Sequence, residues 1–252
     1  MLLLKYILTN ENFGVYYNDL ASNAIWTGWG EKEKNMYEYV KRSEYQPVRL
    51  ELEEIIRKVH YYMRKEHDLT FQHKLIGSGS RHLVTRIKGG NQGFDFDYNF
   101  IIPHPRKGYH WKADVIKNQF TEALKFALKG TKYSNPKDST SAITIKVIDR
   151  NNACISHSCD FAIIYYSEDD DFNGYYYLKN WKGQNRYSFE QRICSDDIDK
   201  KIEVILSYEN GWNMIRDEYI KLKNANKDIN KRSFVLYLEA VNNVYNYLPD
   251  DE

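Results

Sequence analysis

From Gly93 to Ile102 apolar and polar residues alternate without a break, with Phe94, Phe96, Tyr98 and Phe100 on one side and Asp95, Asp97 and Asn99 on the other. A side-chain period of two is that of a strand, and one aromatic face means a half-buried strand with its aspartates turned away from the core. Upstream, Leu52, Ile55, Ile56, Val59 and Met63 recur at helical spacing. They predict a helix to about His67 that begins at Pro47, where a missing N–H costs nothing. A strand over 71–76 then delivers a small-residue turn, Gly77-Ser78-Gly79-Ser80. Ile116, Phe120, Ala123, Leu124 and Ala127 mark a second amphipathic helix over 111–128, with Gly130 placed to end it. Two more strands follow, 142–149 (alternating through Ile143, Ile145 and Val147) and the apolar run 158–166, SCDFAIIYY.

The flanks are less regular. Leu2 to Leu8 suits a short strand or helix, and Trp26-Thr27-Gly28-Trp29-Gly30 a turn whose indoles either pack or stack on a base. Glu31 to Arg42 reads as a short helix with Met36, Tyr37 and Val40 inward. Past the sheet, Glu168 to Asp171 is an acidic loop tip, Tyr175 to Leu178 a short strand, and 179–187 an exposed loop. Beyond it the pattern is helical. Ser195 or Asp196 caps a stripe of Ile198, Ile202 and Ile205; Trp212, Ile215, Tyr219 and Leu222 form a second; Ser233 caps a third, with Phe234, Leu238, Val241, Tyr245 and Leu248 on one face. The expected organisation is α+β: a mixed β-sheet core flanked by helices, then a C-terminal helical lobe. It divides into a 1–46 segment packing on the core, a 47–190 domain and a 191–252 lobe.

Composition narrows this picture. With 36 Lys and Arg against 35 Asp and Glu, the chain is close to neutral, which disfavours a protein that coats long nucleic acid but leaves room for a local basic groove. Three cysteines, Cys154, Cys159 and Cys194, show no metal spacing and read as free thiols of a reducing compartment. No apolar run approaches a membrane span, and MLLLKYILTNENF lacks the features of a signal peptide, so the expectation is a cytoplasmic protein with no membrane partner.

The chemistry begins with Asp95 and Asp97. Two carboxylates one pleat apart repel unless a cation sits between them, and a hard divalent ion, Mg²⁺ or Mn²⁺, suits oxygen ligands. Asp160 opens an apolar run, where a lone charge needs a partner: the same cation, or a salt bridge to Lys or Arg. Backbone N–H groups at Gly77 and Ser78 and the Ser80 hydroxyl suit a phosphate. A phosphate cradle beside paired carboxylates is the outline of a phosphoryl-transfer site. Lys179 to Tyr187, KNWKGQNRY, mixes cations with aromatics, which suits phosphate and base binding as well as an ordinary exposed loop. His60, His67, His73 and His82 show no paired ligand spacing with a third partner and read as surface or core histidines.

In this order (Gly77-Ser78 at a strand end, Asp95-Phe96-Asp97 on the next alternating strand, Asp160 on a later one, then helices) the chain resembles the polymerase-β-type nucleotidyltransferase superfamily. The long gap from Ser78 to Asp95 is similar to the looser spacing of its cyclic GMP-AMP synthase-like bacterial branch. The resemblance implies a nucleotidyltransferase-type sheet and lobe. It also implies transfer of a nucleoside monophosphate from a nucleoside triphosphate to an acceptor hydroxyl with release of pyrophosphate. Asp95, Asp97 and Asp160 would hold two Mg²⁺ ions, with Asp160 also a proton acceptor. Gly77, Ser78, Ser80, Arg81, Lys179 and Lys182 would face the nucleotide. The acceptor stays open between a nucleotide, an RNA end, a protein hydroxyl and a small molecule. Two other readings stand beside it: a nucleotide-sensing or partner-binding module with a decayed site, and an unrelated metal-dependent phosphoesterase.

Overall fold

The computed structural model describes residues 36–168, 173–193, 197–228 and 230–248. The Leu2–Leu8 segment, the Trp26–Gly30 turn, the acidic tip past Glu168, Cys194 and the Ser195 or Asp196 cap lie outside the described residues. In chain order the elements are β1 (Tyr37–Tyr39), α1 (Arg42–His67), β2 (Gln72–Ile76), α2, a single turn (Gly77–Ser80), β3 (Thr85–Ile87), β4 (Phe94–Ile101), α3 (Ala113–Ala127), β5 (Lys137–Asp138), β6 (Ile143–Asp149), β7 (Cys154–Tyr166), β8 (Gly174–Trp181), β9 (Arg186–Ile193), α4 (Asp197–Leu206), α5 (Gly211–Ala225) and α6 (Ser233–Tyr247).

The main sheet runs β2-β4-β7-β6-β5, with β8 joined to the far end of β7 and β9 to β8. Among the described residues only β4 and β7 pair in parallel; the other neighbours are antiparallel. The α3–β5–β6 segment makes the crossover that parallel neighbours need. As the alternation predicts, Phe94, Phe96, Tyr98 and Phe100 are all buried, under α1 and α3. Phe100 stacks on Phe161 (4.9 Å) and Phe120 (5.3 Å). The helix stripes go where the periodicity puts them: Leu52, Ile55, Ile56, Val59 and Met63 of α1, and Ile116, Phe120, Ala123, Leu124 and Ala127 of α3, are buried. On the other side of the sheet Ile76, Ala162, Ile164 and Tyr175 form a smaller apolar patch beside the aspartates.

The last three helices enclose a core of their own, including Ile202, Ile205, Ile215, Tyr219, Tyr237, Ala240 and Val241. Leu83, from the loop after the Gly-Ser turn, is buried inside it. A fully buried leucine contributes about 1.5–3 kcal/mol, so this one residue fastens the lobe to the loop that follows the turn. Among the described residues no helix is long and apolar enough to cross a membrane.

Four expectations change. The first helix starts at Arg42, not Pro47, so it runs across the position where the core domain was expected to begin. Pro47 sits in its second turn, and the first is held from outside: Arg86 bridges Glu38 and Glu44 (2.7 Å each), and buried Tyr45 reaches His82 Nδ1 (3.0 Å). Tyr37–Tyr39 is a strand paired with β3, not part of a helix over 31–42, and Met36 is exposed. The expected loop 179–187 is the end of β8, a turn at Gly183 and the start of β9, with eight residue pairs in register from Gly174–Ile193 to Trp181–Arg186. On α6 the buried face is Leu236, Tyr237, Ala240, Val241 and Val244, leaving Tyr245 exposed. Residues 234–238 are apolar throughout and do not choose the face; the polar stripe Glu239, Asn242, Asn243 and Asn246 does.

Gly93 is the tightest point of the sheet. Its φ is +62°, and a Cβ there would lie 2.0 Å from the Ser156 carbonyl oxygen of the neighbouring strand. Gly93→Ala is expected to destabilise the fold by at least about 2 kcal/mol, from an unfavourable φ plus a backbone collision. Urea unfolding followed by circular dichroism measures it, and an unchanged midpoint refutes it.

Candidate active site

The parallel pairing of β4 and β7 sets Asp97 directly opposite Asp160, and Asp95 opposite Ser158. On the far side of β7, Thr144 of β6 is opposite Asp160. Period two then puts Asp95, Asp97, Asp160 and Thr144 on one face of the sheet. Asp97 is 8% exposed; Asp95 and Asp160 are half-buried. Burial, and then the charges of Asp95 and Asp160, hold the Asp97 carboxyl well above the usual range. Burial pushes Asp160 up to about 7, against a hydrogen bond from the Thr144 hydroxyl and the attraction of Lys146 and Lys117. Burial also raises Asp95, with Lys223 pulling the other way.

Three carboxylates in such a position are unfavourable as anions without a counter-charge, so their fit to a cation can be judged. Asp97 Oδ1 is buried without a hydrogen-bond partner. Gly77, at φ +62°, packs its Cα so close that a Cβ would be 2.6 Å from Asp97 Oδ2. The donors are all oxygens, which suits Mg²⁺ or Mn²⁺ over softer ions. Among the described residues no three His, Cys, Asp or Glu side chains already stand in coordinating geometry. The carboxylates line one face, with Asp160 held by Thr144. Donor type and placement therefore fit a hard cation, and its binding has to draw the carboxylates together.

The turn beside them is closed on itself. The Ser80 hydroxyl (2.9 Å) and Arg81 Nη1 (3.0 Å) both donate to the Gly77 carbonyl, and the Leu83 N–H donates to the Ser78 carbonyl (2.9 Å). Gly77 and Ser78 remain half-buried next to Asp97. Arg81 is 6% exposed, and its guanidinium lies over Tyr237 (4.6 Å) and Phe234 (5.4 Å) of α6. It joins the turn to the helical lobe. Lys179 follows Tyr175 and Tyr177 at period two and so belongs to the carboxylate face, further along the sheet. Its Nζ is 3.5 Å from the Trp181 ring, which Arg186 also approaches at 4.6 Å. Lys182 is exposed in the hairpin turn.

Several cations near the carboxylates escape a sequence reading. Lys223 of α5 is half-buried, donates to Thr85 Oγ1 (2.8 Å), lies over Tyr37 (4.3 Å) and is drawn to Asp95. Lys74 of β2 is opposite Asn99, and burial with Arg81 nearby pulls its amine down to about 8. Lys146 of β6 is opposite Ser158. The β2 and β6 lysines become legible once strand pairing is known. Lys223 depends on how the lobe docks, for which spacing offers no signal. A groove of about 460 Å³ between α1 and α3, lined by Arg57, Lys58, Tyr61, Phe126, Ala127 and Lys129, is on the opposite side of the sheet from the carboxylates and includes none of the expected site residues.

No family model matches the chain, and no curated protein does. Solved structures do. Vibrio cholerae DncV in its apo form aligns over 84% of this chain and 54% of its own, at a TM-score of 0.51 and 16% identity. DncV cyclic AMP-GMP synthase with nonhydrolyzable GTP (84% and 55%, TM-score 0.49, 16% identity) and E. coli MS115-1 CdnC with ATP (85% and 63%, TM-score 0.48, 16% identity) are further matches. The chain spans between about half and two-thirds of the length of these proteins. The chain shares the fold of apo DncV, a mixed sheet flanked by helices and followed by a helical lobe.

The raised carboxyls fix the sign of a pH effect. A carboxyl that holds its proton more tightly folded than unfolded favours the folded state below its unfolded value, near 4, and loses that contribution as pH rises toward its folded value. In chelator, Asp97→Asn is therefore expected to unfold at a higher temperature than the parent, with the gap widening from about pH 5 to pH 8. Calorimetric scans across that range measure it, and a variant less stable than the parent at pH 8 contradicts the repulsion.

Proposed function

We propose that the protein is a metal-dependent nucleotidyltransferase that moves a nucleoside monophosphate from a nucleoside triphosphate to an acceptor hydroxyl and releases pyrophosphate. The observation that carries the reading is the placement of Asp95, Asp97 and Asp160 on one face of β4 and β7 with the Gly77-Ser78 turn packed on Asp97, in a fold of this class. Asp95, Asp97 and Asp160 would hold Mg²⁺ or Mn²⁺. The bound cation supplies charge neutralisation of the triphosphate and activation of the attacking oxygen. The backbone N–H groups of Gly77 and Ser78 bind the β- and γ-phosphates. Asp160, with its carboxyl near 7, accepts the proton of the acceptor hydroxyl. Lys223 and Lys74 neutralise the triphosphate from the lobe and from the edge of the sheet. Lys179, Lys182 and the Trp181 indole hold the nucleotide from the hairpin, while Ser80 and Arg81 act by bracing the turn.

Several of the structural matches carry ATP or GTP, which makes purine triphosphates the first substrates to try. The acceptor belongs to one of the four classes named above, and mass spectrometry of small-molecule products and of the protein itself separates them. In incubations with the four ribonucleoside triphosphates and Mn²⁺, pyrophosphate release is expected from the parent. It should fall below detection in Asp95→Ala, Asp97→Ala and Asp160→Ala, with the fold retained. Full turnover by Asp97→Ala ends the mechanism, and nucleotide binding without turnover by the parent supports the sensing module instead. Lys223→Met should raise KM for the triphosphate about tenfold or more, the loss of one charge-assisted contact, with a smaller change in kcat. An unchanged KM removes Lys223 from the site.

A further inference from the structure

On the opposite side of the sheet from the carboxylates, Glu53 and His60 of α1 meet His73 of β2. One Glu53 oxygen accepts the Tyr98 hydroxyl (2.9 Å); the other accepts His73 Nε2–H (2.8 Å). Arg49 stands 3.9 Å from the same carboxylate. An ionised carboxylate only accepts, so the His73 proton is on Nε2 and Nδ1 carries a lone pair. That Nδ1 is 3.1 Å from His60 Nε2. The His60 ring is fixed by stacking on Phe71 at 3.9 Å and 4°.

Two imidazole nitrogens at this distance are bridged by a proton or by a metal ion. Zinc binds imidazole at about 2.0–2.1 Å, and a tetrahedral angle then asks for nitrogens about 3.3–3.4 Å apart. The observed separation is a few tenths of an ångström short of that. A carboxylate on the far nitrogen of a ligating histidine is the usual outer-shell support, since it sets the tautomer and raises ligand basicity. Here Glu53 is itself held by Tyr98. His73 is at the surface, so solvent can fill the remaining positions. Borderline ions favour imidazole, whereas Mg²⁺ and Mn²⁺ favour oxygen, so this pair and the carboxylates do not compete for one ion.

We propose that His60 Nε2 and His73 Nδ1 form a zinc-binding site, backed by Glu53 and completed by water. Among the described residues no third His, Cys, Asp or Glu joins the pair in coordinating geometry, so the ion is exchangeable, not a closed structural zinc. When bound it staples α1 to β2, the strand that ends at Ile76 and feeds the Gly77 turn. No sequence spacing links the two histidines, since one is on a helix and the other on a strand.

The test is titration of the full, chelator-stripped chain with zinc chloride, by calorimetry and thermal shift, in the parent, His60→Phe and His73→Gln. His60→Phe keeps the stack on Phe71, and His73→Gln changes a surface residue, so both are expected to fold; far-ultraviolet circular dichroism checks this. The expected result is a saturable zinc event with a rise in Tm, weakened at least about tenfold in each histidine variant and less in Glu53→Gln. Cobalt should report the same site through a visible spectrum that both histidine variants lose. Zinc binding of equal strength in parent and both variants overturns the proposal, as does no event up to ~1 mM.

Discussion

Everything at the candidate centre depends on one strand pairing. β4 and β7 lie parallel in a register that sets Asp97 against Asp160 along eight consecutive pairs, from Phe94–His157 to Ile101–Ile164. A slip of one residue would turn Asp160 into the aromatic core and bring Phe161 out beside Asp97. That outcome is blocked by the core itself: Tyr98, Phe100, Phe161 and Phe120 stack in a continuous array that only this register allows. The hydrophobic packing on one face thus fixes the electrostatics on the other. The carboxylates stay together against their repulsion because separating them would disrupt the aromatic layer.

The Gly-Ser turn is the second constraint. It is packed against Asp97 on one side and bound to the lobe on the other, by Arg81 over Tyr237 and by Leu83 in the lobe core. The Ser80 hydroxyl and the Arg81 guanidinium both donate to the Gly77 carbonyl and close the turn on itself. The lysines then arrive from separate elements: β2, β6 and α5. No single segment holds enough positive charge to stand out in a nearly neutral chain.

What was legible in the sequence follows from where periodicity is strong. The aspartate strand, α1, α3 and β6 could be read because one face of each is apolar and the other polar. The Gly77–Ser80 turn could be read because small residues at a strand end have few other uses. The β8–β9 hairpin was hidden because its outward positions are Lys179, Trp181, Arg186 and Ser188, a mixture that resembles a loop until its two halves pair. The α6 face was harder to read because its first turns, residues 234–238, are apolar throughout, and only Glu239, Asn242, Asn243 and Asn246 further on mark the outer side. Lys223, Lys74 and the Glu53–His73–His60 chain were out of reach for a common reason: each acts through contacts between segments far apart in the chain, and local pattern has no access to these.

Arg81 has one more implication. A single guanidinium spans from the Gly77 carbonyl to the Tyr237 ring, so the gap between sheet and lobe is set by the reach of one side chain. A rigid strut of that kind leaves little room for the two halves to hinge at this point.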